Sequence, residues 1–177
     1  MPDRGVRPTS ERVREAVFDI LGDGAVRGAR VLDLFAGTGA FGIEALSRGA
    51  ATAVFLERTR TVARALAENL ERFSLAGRAR VVVADLSRGA LPPDAPGPWE
   101  LVFLDPPYAG RAGALWLDAL ASIRWPAGGG LLVLEQRRGV LAPPDGVVLR
   151  TERRYGDTVI RIYHAGSVEP GSRGGVA

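Results

Sequence analysis

The stretch Leu32–Leu46, "LDLFAGTGAFGIEAL", decides how the rest of the chain is read. It joins the end of a short apolar run, "RVLDLF" (30–35), to a helix-like segment that stops at Gly49. Gly37, Gly39 and Gly42 fit the G-x-G-x-x-G spacing of a dinucleotide fingerprint, and Glu57 follows at the distance of its acidic partner. A pyrophosphate would rest on backbone N–H groups at the start of the helix. Asp33 stands four residues before Gly37, and a carboxylate in that space repels phosphate. Asp33 is therefore either at the ligand or bonded to the loop backbone. S-adenosylmethionine carries an ammonium and a sulfonium and no phosphate, so it tolerates or favours a nearby carboxylate. Glu57 can accept ribose hydroxyls from either cofactor. A dehydrogenase is the weakest reading, because no proton-transfer residue accompanies the loop.

Outward from this stretch, strand and helix patterns alternate. A first helix is expected after Thr9 or Ser10, with Val13, Ala16, Val17, Ile20 and Leu21 on one face, broken by Gly22, Gly24 and Gly28. Strands are expected at 51–57, 79–86, 99–108 and 130–136, and helices at about 59–73 and 114–123. The 59–73 helix would bury Val62, Leu66, Leu70 and Phe73. Residues 91–98, "LPPDAPGP", form a loop. Residues 146–165 read as an antiparallel hairpin turning at Tyr155–Asp157, and the last residues (165–177) as a disordered tail. One α/β domain over 1–164 results, with a parallel sheet covered on both faces. Ligands in such sheets sit at the carboxyl ends of the strands. That rule selects Asp33–Gly39, Glu57, Asp85 and Asp105–Tyr108. Asp85 either accepts from an adenine amine or is a surface acid.

Composition narrows the function classes. The chain has 177 residues, 46% apolar and 24% charged, with a net charge of +3. Cysteine is absent and His164 is the single histidine, which excludes disulfides and makes a zinc site a poor expectation. No apolar run reaches membrane-spanning length and no secretory signal is present, so a cytoplasmic, non-membrane protein is expected. All 23 basic residues are arginine, a pattern that GC-rich coding produces. Arginine forks also suit phosphate, and a small positive surplus permits a nucleic-acid partner.

The second informative motif is Asp105-Pro106-Pro107-Tyr108 at the end of an apolar strand. Two prolines remove two donors and stiffen the turn, leaving carbonyls free. A carboxylate, a rigid acceptor and an aromatic ring then suit a planar base with an exocyclic amine. The amine donates to Asp105 and the Pro106 carbonyl, and the base stacks on Tyr108. Read alone, the same residues could merely cap a strand. After a glycine loop with Glu57 and Asp85 at the proper strand ends, the base site is the better reading. Arg111, Arg153 and Arg154 are the candidates for RNA contact.

"LDLFAGTGAFGIEALSRGA" with "DPPY" resembles the S-adenosylmethionine-dependent amino-methyltransferases. "RPTSERVREAVFDIL" (7–21) and "RRYGDTVIRIY" (153–163) resemble, more narrowly, the bacterial small-subunit (16S) ribosomal RNA guanine-N2 methyltransferases. The resemblance implies a Rossmann-like class I fold, with seven strands, helices on both faces and an antiparallel last strand. It implies cofactor contacts by Arg7 and Thr9 and by the loop residues Asp33, Phe35, Ala36, Gly37, Thr38 and Gly39. Glu57 with its neighbour Arg58, and Asp85 with its neighbour Leu86, complete that set. Base contacts would come from Asp105, Pro106, Pro107 and Tyr108. The implied partner is ribosomal RNA or an assembly intermediate of the small subunit. A monomer without metal is expected. Family members usually carry a basic β-hairpin ahead of the "RPT" segment, whereas six residues precede Arg7 here. Two other readings stand beside this one: methylation of adenine N6 or cytosine N4 in DNA or other RNA, and a non-catalytic RNA-binding factor that holds the cofactor.

Overall fold

The computed structural model describes residues 11–86, 91–93, 95, 97–106, 123–124, 129–137 and 146–165. Helix α1 (Glu11–Leu21) buries Val13, Val17, Phe18 and Leu21, one stripe at helical spacing. Phe18 belongs to that stripe and was missing from the expected face. It meets Phe103 at 5.7 Å, and Phe41 stacks on Phe103 at 4.8 Å. The chain does not simply break at the following glycines. A further turn, α2 (Asp23–Val26), starts after Gly22 and spans Gly24.

Strand β1 (Arg30–Leu34) leads through the glycine loop into α3 (Ala40–Ser47), and β2 (Thr52–Glu57) into α4 (Arg60–Arg72). Strands β3 (Ala79–Val83), β4 (Leu101–Leu104), β5 (Gly130–Arg137), β6 (Val147–Tyr155) and β7 (Thr158–Ala165) complete a seven-stranded sheet. Its order is β3-β2-β1-β4-β5-β7-β6. β7 is antiparallel to both β5 and β6, and the other pairs are parallel. This is an α/β, Rossmann-like sheet. The order reverses at β1, so a crevice opens between the ends of β1 and β4, where ligands of such sheets lie.

Each face of the sheet has its own core. Val31, Phe55, Phe103, Val133 and Ile162 face α1, α3 and α4. Leu32, Leu34, Leu104, Leu134 and Tyr163 face the other way, under Leu86, Ala95, Trp99 and Ile123. Three elements differ from expectation. α4 ends at Arg72 with Phe73 as its cap, so Phe73 is 56% exposed and Ala63 joins Leu66 and Leu70 on the buried side. β3 stops at Val83, three residues early. β4 pairs only through Leu104, because Pro106 and Pro107 have no N–H to offer a ladder. The expected helix at 114–123 lies outside the described residues except for Ile123.

Candidate functional site

The carboxyl ends of β1, β2, β4 and β5 form one edge, and the register fixes its rows. Leu56, Leu34, Leu104 and Leu134 are paired across β2, β1, β4 and β5. Glu57, Phe35, Asp105 and Glu135 each follow that row by one residue, and Ala36, Pro106 and Gln136 by two.

Asp33 lies one residue before this edge, 4% exposed. Its Oδ2 accepts from the Gly42 N–H at 2.9 Å. Of the two alternatives for Asp33, the structure shows the loop brace. The brace explains Gly42: a Cβ there would run into the Phe55 ring and lie 3.0 Å from Asp33 Oδ2. Gly39 is left-handed (φ +78°), and a Cβ on it would meet the Leu66 side chain. Gly37 is also left-handed, at φ 54°, and so is the non-glycine Phe35, at φ 59°. Thr38 is exposed, and Ala36 donates to the Leu56 carbonyl at 2.9 Å.

Glu57 does more than end a strand. Its Oε2 accepts from Gly37 N–H at 3.1 Å and its Oε1 from Thr59 N–H at 2.7 Å. One side chain thus ties the glycine loop to the start of α4. The N–H groups of Gly37 and Gly42, which a pyrophosphate would need, are already held by carboxylates. Two of the N–H groups that the G-x-G-x-x-G spacing would offer a phosphate are thus engaged by acidic side chains of the chain itself. Each Glu57 oxygen keeps a second lone pair for a hydroxyl donor.

Asp105 is half-buried just beyond β4, and Pro106 is buried. Burial pushes the Asp105 carboxyl up to about 8, with the charges of Glu135 and Asp33 adding to it. Asp33 is raised to about 7, chiefly by burial, against the Gly42 N–H bond that lowers it and with Glu57 pushing it further up. Glu135 is 7% exposed and faces the same side as Asp105. Neither Glu135 nor Gln136 was selected from the sequence. The signal existed: "LEQ" puts two polar residues at the end of an otherwise apolar strand, and the strand-end rule applies to β5 as well.

The remaining expected residues scatter around this edge. Asp85 is exposed two residues past β3, and Arg58 is exposed beside Glu57. The Leu86 side chain is 3% exposed and belongs to the core. Arg153 and Arg154 are exposed on the edge strand β6, three strands from Asp105. Arg153 donates to Thr151 Oγ1 and the Glu152 carbonyl, and Arg154 pairs with Glu152 at 2.9 Å. Arg7, Thr9, Pro107, Tyr108 and Arg111 lie outside the described residues. Among the described residues, no three His, Cys, Asp or Glu side chains gather as a metal ion would need, and no helix is long and apolar enough to cross a membrane.

Comparison with known proteins places this edge in a family. The family described as "Conserved hypothetical protein 95" matches residues 1–164. The ribosomal RNA small subunit methyltransferase D of Escherichia coli K12 is 38% identical over 168 residues, 92% of this chain and 82% of that one. This chain belongs to the small-subunit ribosomal RNA methyltransferase D family. The solved structure of yhhF from Escherichia coli superposes on this family member with a TM-score of 0.76 at 34% identity, covering 92% of this chain and 89% of that one. An RNA methyltransferase of Salinibacter ruber, solved with S-adenosyl-L-homocysteine, shares the fold at 15% identity, with a TM-score of 0.63 over 93% of this chain and 97% of that one.

Proposed function

We propose that this methyltransferase transfers the methyl group of S-adenosylmethionine to the exocyclic N2 of a guanine in small-subunit ribosomal RNA. The observation that carries the reading is Asp105-Pro106 just past β4, beside a glycine loop whose N–H groups are held by Asp33 and Glu57. The donor set fits the cofactor: carboxylates rim the crevice, and Glu57 retains acceptor capacity for ribose hydroxyls. Asp85 would take the adenine amine, and Arg7, Thr9 and Arg58 would complete the pocket. Bound there, S-adenosylmethionine supplies an electrophilic methyl on a sulfonium.

The protein's own contribution is orientation and charge. The N2 lone pair of guanine is delocalised into the ring. Asp105 Oδ and the Pro106 carbonyl would each accept one amine hydrogen, favouring a pyramidal nitrogen with its lone pair aimed at the methyl. Tyr108 would hold the plane of the base. Positive charge develops on the nitrogen as the N–C bond forms, and Asp105 offsets it. These roles belong to the ionised Asp105, whose share grows as pH rises through about 8, and its raised proton affinity then suits it to take the proton the nitrogen sheds. Pro107 would hold the turn, and Arg111, Arg153 and Arg154 would meet RNA phosphates. The substrate is RNA alone or an assembling small subunit, met by a monomer.

Asp105→Ala tests this. Single-turnover transfer to small-subunit RNA should fall by at least about 100-fold, with affinity for S-adenosylmethionine unchanged. Near-wild-type transfer by the variant would contradict the scheme.

A further inference from the structure

Gln136 is 2% exposed at the end of β5, and its Nε2 has no hydrogen-bond partner among the described residues. Its Oε1 accepts from Arg161 Nη1 at 2.6 Å. Arginine only donates, so the oxygen of the amide must face Arg161 and the NH2 must face away from it. Arg161 is held in turn: its Nε donates to Glu152 Oε2 at 2.8 Å, and Glu152 Oε1 accepts from Arg154 Nε and Nη2 at 3.0 and 2.9 Å. The Arg154–Glu152–Arg161 chain therefore fixes the orientation of one amide and leaves its donor end unused. An unsatisfied buried donor costs about 1–3 kcal/mol, so a chain of ionic groups that holds one in place calls for an acceptor.

The location supplies the candidate. Leu134 pairs with Leu104, the last residue of β4, and Gln136 follows Leu134 by two residues along β5, as Pro106 follows Leu104 along the chain. Adjacent strands lie about 4.8 Å apart. A base whose amine is held at Asp105 and the Pro106 carbonyl thus extends its next edge group toward β5. In guanine the group across N1 from the N2 amine is O6, an acceptor. Adenine, with N6 as the reacting amine, has only C2–H across N1, so a donor placed there finds no acceptor on it.

We infer that Gln136 Nε2 donates to O6 of the target guanine, and that the Arg161–Glu152 pair orients it for that contact. This rests on the guanine-N2 reading and deepens it: Asp105 and Pro106 take the reacting amine, and Gln136 reads the carbonyl that identifies the base. Nε2 is covered in the free chain, so its cover must move aside as the base enters.

The test uses two small-subunit RNAs differing at the methylated position alone. One carries guanosine there, and the other 2-aminopurine, which keeps the 2-amine and lacks O6. Wild-type enzyme should favour guanosine by at least about 100-fold in kcat/KM, the penalty for leaving a hydrogen-bonding group of the site unpaired. Gln136→Glu keeps an oxygen for Arg161 and replaces the donor with an acceptor. Gln136→Leu removes both. In each variant the preference for guanosine should shrink by about tenfold or more, with affinity for S-adenosylmethionine unchanged. Equal use of the two RNAs by the wild-type enzyme, or the same preference in wild type and variants, overturns the inference. Equal use of the two RNAs by the wild-type enzyme overturns the inference even if neither variant folds. Arg161→Lys, which loosens the hold on the amide, then takes the place of the variants: an unchanged preference overturns the inference. No transfer to guanosine RNA overturns the guanine reading, and this inference with it.

Discussion

Asp33 and Asp105 are two acids of one motif-bearing edge with different tasks. Asp33 spends its carboxylate on the Gly42 N–H and is sealed from water. Asp105 stands at the rim beside Glu135, with its proton affinity raised. Both are above the ordinary carboxylate value, so the folded chain binds more protons than the unfolded chain between about pH 4 and pH 8. The sign follows: stability contributed by these groups is greatest in acid and falls as pH rises toward 7 to 8. Asp33→Asn keeps an oxygen for Gly42 and removes the titration. Denaturant unfolding from pH 5 to pH 8.5 should therefore show a shallower decline in this variant, by a few kcal/mol in order of magnitude. An unchanged slope would mean that Asp33 is not held protonated.

Among the elements, the glycine loop and the two strand ends matter most. Gly42 lets α3 close on β1 with the Phe55 ring and Asp33 beneath it. Gly42→Ala should cost about 1–3 kcal/mol in unfolding free energy and weaken cofactor binding, because the brace moves. Wild-type stability would show that Phe55 can yield. The sequence made this loop legible because a strand, three spaced glycines and a helix leave few alternatives. It could not distinguish a brace from a ligand contact at Asp33, since both place a carboxylate at the same strand end. The role of Glu57 in tying Gly37 to Thr59 was hidden for a similar reason: backbone N–H partners have no signature in sequence. β5 was legible as a strand, yet its polar end was overlooked, and Phe73 was misplaced because a helix end turns its last apolar residue outward.

For the whole molecule, the seven-stranded sheet gathers residues from distant parts of the chain on one edge, as the alternation of strand and helix patterns requires. The antiparallel hairpin was legible from its turn. Its place in the sheet, with β7 between β5 and β6, was not. That insertion is what carries Arg161 to Gln136. Arg153 and Arg154 sit on the outer strand, on the order of 14 Å from Asp105 by strand spacing, a distance suited to RNA backbone rather than the target base. Replacing both with alanine should weaken RNA binding and lower the slope of log K against log salt by about 2, read by titration at several salt concentrations. An unaltered slope would remove them from the RNA surface.

The central claim is tested most directly by the identity of the product. The protein is incubated with methyl-labelled S-adenosylmethionine and, in parallel, small-subunit RNA, subunits lacking the modification, and duplex DNA, and the labelled nucleoside is identified. Label in N2-methylguanosine from RNA or subunits, with none in DNA, is the predicted result. Label in N6-methyladenosine or N4-methylcytosine, or no transfer to any of the three, would contradict it.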